Sequence, residues 1–153
     1  ITASGDNPTP GTQAITPLPA PRMMVPSDPP THHLTLRLQG GAMGGQHAGY
    51  DIWALNGVSG MTDAPWQRFN RGDTARITIV NESAFPHGIH LHGHHFHEQE
   101  ADGSLGALRD TTLLQGQETR DILCTFSNPG KWLLHCHMLG HQAAGMKTWV
   151  EVL

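Results

Sequence analysis

From Thr31 onward, turn-forming residues divide the sequence into short apolar runs, and this spacing restricts the fold more than any other feature. Asn56-Gly57 and Asn128-Pro129-Gly130 are the clearest turns, since Asn, Gly and Pro favour turn conformations. The runs between turns have strand length: Leu34–Leu38, Ile52–Leu55, Arg76–Val80, Ile89–His92, Thr111–Leu114, Arg120–Phe126, Trp132–Cys136 and Lys147–Val152. About eight such strands predict an all-β fold, an antiparallel Greek-key β-sandwich or barrel, with one short helix at most, over Met138–Ala144.

Residues 1–31 form a separate compositional block. Eight of the 11 prolines fall there, and no sustained apolar periodicity accompanies them. We therefore predict an extended proline-rich linker or arm over 1–31, followed by a single domain over 32–153. Because the sequence begins at Ile1, we expect a processed or cleaved product.

Composition excludes several classes of function. The net charge of −4 with 14% charged residues leaves no basic stripe for nucleic acid. No apolar run approaches the roughly 18 residues of a membrane span, so no membrane span is predicted. Only two cysteines are present, which is too few for a disulfide framework, whereas 12 histidines are unusual for a chain of 153 residues.

The histidines concentrate in two clusters, at residues 87–97 and 135–141. In the second cluster, His135-Cys136-His137 follows a predicted strand, along which side chains alternate between faces. The two histidines therefore project to one side and Cys136 to the other, so that one tripeptide serves two sites.

The side of Cys136 has the donors of a blue-copper centre. His141 and Met146 follow at loop spacing, and a thiolate, two imidazoles and a weak thioether form the ligand set of an electron-transfer copper site. The second imidazole must come from elsewhere, and His87 is the natural candidate. On the opposite side, His135 and His137 need partners, and the alternating His90 and His92 supply them. Imidazoles at i and i+2 arise from Cα atoms roughly 6.5 Å apart, which suits neighbouring metal ions at least as well as one shared ion.

Both clusters together resemble the two C-terminal copper motifs of multicopper oxidases, a family that includes the laccases. The resemblance extends through Trp53-Ala-Leu-Asn56-Gly57, Arg109-Asp110-Thr111 and Asn128-Pro129-Gly130, and covers about residues 32–153. It implies a cupredoxin-like C-terminal domain. It also implies three kinds of copper ligand: His87, Cys136, His141 and axial Met146 for type 1, His90 for type 2, and His92, His135 and His137 for type 3.

The same resemblance implies a function. Electrons from a small-molecule or metal-ion reductant enter at type 1 and pass through Cys136 to its flanking histidines, and a trinuclear copper cluster reduces O2 to water. It also implies a periplasmic or extracellular, secreted enzyme. The catalytic residues by this interpretation are Cys136, His135 and His137.

The sequence departs from the family pattern in three ways. The remaining cluster ligands come from an N-terminal domain in the family, and here the other histidines (His32, His33 and His47) have the wrong spacing. We therefore expect N-terminal cupredoxin domains as a partner, on a separate or cleaved chain. Gly88 replaces the usual proline, which loosens the backbone. Gln142 stands where several bacterial relatives have a proton-relaying acid.

The alternative is a stand-alone blue-copper protein that transfers electrons or binds copper without reacting with O2. Such a protein has no use for four further histidines, which favours the oxidase. For the remaining candidates, non-ligand roles are expected: surface or supporting positions for His94, His95 and His97, and an inert buried thiol for Cys124. The parent could have two or three cupredoxin domains, and the long proline-rich segment favours three.

Overall fold

The computed structural model describes residues 17, 19, 26, 29–41 and 52–153. Most of the predicted 1–31 arm, together with His47, lies outside the described residues. The described part contains eleven strands and one short helix. They are β1 (His32–Gly40), β2 (Trp53–Leu55), β3 (Gln67–Phe69), β4 (Thr74–Asn81), β5 (His87–Leu91), β6 (Phe96–Gln99), β7 (Leu105–Arg109), β8 (Thr111–Leu114), β9 (Thr119–Thr125), β10 (Gly130–Cys136), α1 (Leu139–Ala143) and β11 (Lys147–Val152). Among these residues, no helix is long and apolar enough to cross a membrane.

The strands form two sheets, in the orders β2-β1-β4-β9-β6-β7 and β3-β11-β10-β5-β8. Alternation along β4 explains the packing, because Ala75, Ile77 and Ile79 are buried and the residues between them are partly exposed. Phe126 and Leu134 join them in one apolar core. The predicted all-β sandwich is confirmed, and it is cupredoxin-like.

Pairing within the sheets differs from the prediction in one respect. Two pairs of described strands, β1 with β4 and β11 with β3, are parallel, whereas antiparallel pairing was expected throughout. The local pattern of a strand does not specify the direction of its neighbour, so this difference could not be seen in the sequence.

The Asn56-Gly57 turn confirms the local prediction. Both residues have positive φ, 49° and 78°, and Leu55 and Val58 exchange backbone hydrogen bonds across them. The loop that follows this turn brings Ser59 and Gly60 close to the segment between α1 and β11. That segment contains Met146, one of the candidate metal ligands.

The sheet that contains β5 and β10 positions the sites. These two strands are antiparallel, with Leu134 opposite Leu91, His135 opposite His90 and Cys136 opposite Ile89. The histidine pair therefore lies on the outer face of this sheet, whereas Cys136 and Ile89 point into the core.

Candidate metal centres

The first candidate centre lies where β5, β10 and α1 meet, and two of its three donors are buried. His87 begins β5, Cys136 ends β10 and His141 lies in α1, and their ligand atoms all lie within 4.8 Å of one another. The two Nδ1 atoms are 3.0 Å apart, and Sγ of Cys136 is 3.8 Å from Nδ1 of His87 and 3.7 Å from Nδ1 of His141. Three donors from two distant parts of the sequence thus lie close together.

Met146 lies beside this group through two backbone contacts. The N–H of Cys136 donates to its carbonyl oxygen at 3.0 Å, and its own N–H donates to the carbonyl oxygen of His141 at 3.0 Å. The side chain of Met146 is fully buried in the core. The four residues predicted for a type 1 site are therefore neighbours in the fold.

Trp53 packs against both imidazoles of this centre. Its ring centroid lies 4.8 Å from that of His87, in an edge-on arrangement, and 4.5 Å from that of His141. Trp53 is buried, so it separates both histidines from solvent on that side. The sequence marked Trp53 only as part of a family resemblance, and nothing in its local pattern indicated this contact.

Burial sets the protonation of these groups. It lowers the pKa of His87 to about 4, with a further contribution from the charge of His141, and it also lowers the pKa of His141. Burial raises the pKa of the Cys136 thiol, while hydrogen bonds from the backbone of Met138 and Gly88 act in the opposite direction. Neutral imidazoles and a thiol whose anion is already solvated by N–H groups suit a soft metal ion.

Gly88 has a role here that proline could not fill. Its backbone N–H assists the Cys136 sulfur, and proline has no N–H. Its carbonyl oxygen accepts from the N–H of His137 at 2.6 Å. Gly88 was expected to loosen the backbone, but both its N–H and its carbonyl oxygen are hydrogen-bonded.

The second candidate centre lies on the outer face of the same sheet. His90, His92 and His135 bring one ligand atom each to within 4.8 Å of the others, and Nε2 of His92 is 3.0 Å from Nε2 of His135. Nδ1 of His90 donates to the carbonyl oxygen of Asp110 at 2.8 Å, and Nδ1 of His135 donates to that of Cys136 at 2.9 Å. These backbone acceptors leave Nε2 of both rings free for a metal ion.

His137 stands at the edge of the second centre. It is exposed, and its ring centroid lies 5.4 Å from that of His90 and 5.9 Å from that of His135. The structure therefore brings all four predicted cluster histidines to one region, with His137 outside the tight group of three.

The other histidines of the described residues lie outside both groups. His94 is buried against Phe126 and Trp132, and Nδ1 of His97 lies 3.0 Å from the carbonyl oxygen of Gly106. His32 pairs with Asp73 at 3.0 Å. Exposed His95 joins no donor group among the described residues. Cys124 is fully buried, and burial raises the pKa of its thiol, in agreement with an inert side chain.

Gly145 allows the loop before Met146 to approach its neighbours closely. Its φ is +114°, and a Cβ there would lie 1.9 Å from Oγ of Ser59 and 2.4 Å from the backbone oxygen of Trp53. Gly145→Ala is expected to destabilise the fold by about 2–4 kcal/mol through backbone strain and overlap. Urea unfolding monitored by tryptophan fluorescence would measure this. Gly140, where a Cβ meets nothing within 4 Å, provides the matched control, and equal stability of both alanine variants would contradict the packing described.

The lowered histidine pKa values predict that the metal-free fold weakens in mild acid. His87, with a pKa lowered to about 4, stays neutral while the unfolded chain takes up the proton, so the unfolded state binds more protons as pH falls. From His87 alone, the free energy of unfolding should fall by about 2 kcal/mol between about pH 7 and about pH 5. The lowered pKa values of His92, His94, His135 and His141 act in the same direction. Urea titrations at both pH values test this, and a stability that rises on acidification would contradict it.

Comparison of the sequence with protein families gives a clear match. The model of the family described as "Multicopper oxidase" matches residues 27–153. "Multicopper oxidase MmcO" of Mycobacterium tuberculosis is 37% identical over 124 residues, which cover 81% of this chain and 23% of that protein. "Copper resistance protein A" of Escherichia coli is 31% identical over 100 residues, which cover 65% of this chain and 16% of that protein.

Solved structures agree with this match. The crystal structure of Lac15 from a marine microbial metagenome superposes with a TM-score of 0.62 at 48% identity, over 98% of this chain and 33% of that one. A multi-copper oxidase from Pseudomonas thermotolerans superposes with a TM-score of 0.74 at 25% identity, over 90% of this chain and 33% of that one. The chain thus spans about a third of these solved proteins and less than a quarter of the mycobacterial relative.

Proposed function

The chain belongs to the multicopper oxidase family. We propose that it supplies the complete type 1 copper site of an oxidase and half of the trinuclear cluster. The observation that carries this proposal is the arrangement at the end of β10. There, Cys136 belongs to one donor group with His87 and His141. The adjacent His135 belongs to a separate group of three histidines. Two sites of different chemistry are therefore joined through consecutive residues.

The donors fit copper at both places. His87, Cys136, His141 and Met146 would hold type 1 copper, since thiolate, imidazole and thioether are the ligands of blue-copper sites. His90 would hold type 2 copper, and His92, His135 and His137 would hold the type 3 pair. Bound copper supplies the one-electron redox chemistry and, in the completed cluster, the reduction of O2 to water.

The chain itself supplies a short route between the two sites. Sγ of Cys136 connects through its own backbone to His135 and His137. In addition, Nδ1 of His135 donates to the carbonyl oxygen of Cys136 at 2.9 Å, and the N–H of His137 donates to the carbonyl oxygen of Gly88. The first contact holds the imidazole of His135 relative to the sulfur, and the second holds the backbone of His137.

The outer face of the second sheet would receive the N-terminal cupredoxin domains that complete the cluster. On the same face as His90 and His135 lie Leu113, which is 50% exposed, and Leu133. Trp149 lies opposite Leu133, and Met61, which is 51% exposed, helps to line a largely apolar depression of about 330 Å³ there. An apolar surface beside an incomplete metal site favours a protein partner over solvent.

A stand-alone electron-transfer or copper-binding protein is less well supported. Such a protein needs only the buried donor group, whereas the grouping of His90, His92 and His135 within 4.8 Å would be without a use. A small-molecule or metal-ion reductant, O2 as acceptor, and a periplasmic or extracellular location complete the proposal.

Anaerobic reduction of the copper-loaded chain tests the proposal. A phenolic donor should bleach the visible thiolate-to-copper band, and a mild oxidant should restore it. A copper-loaded chain that has the band but keeps it through repeated reductant additions would contradict an electron-accepting role.

Met146 should tune this site rather than create it. Met146→Leu is expected to keep the blue colour and to raise the reduction potential, because a weak donor to Cu(II) is lost while the buried volume is nearly conserved. Potentiometric titration of both proteins measures the shift. A colourless Met146→Leu variant that remains folded would show that the axial role is wrong.

A further inference from the structure

A buried polar network surrounds the side of His87 that faces away from the other donors. Asn81 ends β4 and Ser83 follows it, and both are almost fully buried, at 1% and 4% exposure. Oγ of Ser83 lies 2.8 Å from Nε2 of His87. Neither Asn81 nor Ser83 belongs to the predicted copper motifs.

The orientation of the Asn81 amide is determined by its surroundings. Its Nδ2 donates to the carbonyl oxygens of Phe85 at 2.7 Å and Gln115 at 2.8 Å. Its Oδ1 accepts from the N–H of Ser83 at 3.0 Å. The reverse orientation would place oxygen against two carbonyls and nitrogen against an N–H, which leaves buried groups unpaired.

The partners of the Ser83 hydroxyl favour one arrangement towards His87, in which Oγ accepts, as it already does from the N–H of Phe85 at 3.2 Å. Oγ has a single hydrogen, and two groups that only accept, Oδ1 of Asn81 at 2.8 Å and the carbonyl oxygen of Phe85 at 3.2 Å, compete for it. With its hydrogen on Oδ1 of Asn81, the hydroxyl presents a lone pair to Nε2 of His87. A neutral His87 then carries its hydrogen on Nε2, and its Nδ1 is left unprotonated.

We propose that Ser83, oriented by Asn81, is a positioning residue of the type 1 copper site: it fixes His87 in the Nε2–H tautomer and so presents Nδ1 as the ligand atom. This inference rests on the proposed function and deepens it. The selected nitrogen is the one that lies 3.0 Å from Nδ1 of His141 and 3.8 Å from Sγ of Cys136. His141 has no comparable partner for its Nε2 among the hydrogen bonds of the described residues, so His87 is the fixed imidazole of the pair.

The tautomer can be read directly in the metal-free chain. Long-range ¹H–¹⁵N correlation spectra of ¹⁵N-histidine-labelled protein distinguish protonated from bare ring nitrogens, and His87→Gln assigns the His87 signals. We expect a protonated Nε2 and a bare Nδ1 for His87. A hydrogen on Nδ1 of His87 would overturn the proposal. Because the spectra use the unsubstituted chain, this result holds even if every Ser83 variant fails to fold.

Variants test the consequence for metal binding. Ser83→Ala should allow His87 both tautomers and weaken Cu(II) binding at the blue site by about ten- to a hundredfold. Ser83→Thr, which keeps the hydroxyl, should restore the tautomer and most of the affinity. Ser59→Ala is the matched control, since the shielded Ser59 hydroxyl has no hydrogen-bond partner among the described residues.

The outcomes separate this proposal from the proposed function. A Ser83→Ala variant with wild-type tautomer and wild-type copper affinity would overturn the role of Ser83 alone. A wild-type chain that has the expected tautomer but shows no blue band with copper would instead overturn the type 1 assignment on which it rests.

Discussion

Loaded with copper and supplied with a phenolic donor, the isolated chain is expected to show no sustained O2 uptake. His90, His92, His135 and His137 by themselves leave each copper of a trinuclear cluster under-coordinated, so metal bound there should be weak and labile. An oxygen electrode measures the rate, with the chain shown to be monomeric by sedimentation velocity under assay conditions. Sustained four-electron turnover by the monomer would contradict the half-site interpretation.

Addition of the N-terminal portion of the oxidase should restore turnover. That activity should be lost in His135→Ala and His137→Ala, because both imidazoles belong to the proposed cluster and flank Cys136. His95→Ala is the matched control, since His95 is exposed and joins neither donor group. Reconstituted turnover that survives loss of His135 would remove the cluster assignment.

Replacement of one sulfur atom should abolish the blue colour. In Cys136→Ser the thiolate that gives the intense charge-transfer band with Cu(II) is absent, so the visible band is expected to disappear completely. The fold should persist, because the change nearly conserves volume at a side chain whose backbone N–H remains bonded to Met146. Absorption spectra of copper-loaded protein, with circular dichroism as a check on folding, provide the measurement.

Cys124→Ser is the matched control for this change. Cys124 is as fully buried as Cys136, but its sulfur belongs to neither group of metal donors and donates to the carbonyl oxygen of His95, at 3.6 Å. This variant should remain blue. A folded Cys136→Ser protein that stays blue, or loss of colour in a folded Cys124→Ser protein, would show that the copper thiolate is assigned to the wrong residue.

Most of the strands were predictable because apolar and polar residues alternate along them. Three strands with a weaker pattern were missed. The missed strands are Gln67–Phe69, Phe96–Gln99 and Leu105–Arg109. Two of them lie at sheet edges, and the three together bury only two residues, Phe69 and Phe96. Such strands carry little periodic signal in the sequence.

The donor residues were predictable because they occur together in two short histidine-rich motifs. Alternation along a strand determines that Cys136 and its two neighbours face opposite sides, and the register of β5 with β10 places His135 beside His90. The residues that support the donors were not predictable. Trp53 and Ser83 act through contacts across the fold, and an ordinary tryptophan or serine has no spacing that marks such a role.

Titration of the metal-free chain with Cu(II), followed by visible absorption and electron paramagnetic resonance, tests the central claim most directly. The account predicts that the first equivalent binds tightly and turns blue, because His87, Cys136 and His141, with Met146 beside them, would provide all the donors of a blue-copper site. Further equivalents should bind weakly and without added blue colour at the exposed histidines, and a mild chelator should remove them first. A first equivalent that binds tightly without the thiolate band, or blue colour that grows through several equivalents, would contradict one complete site beside an incomplete one.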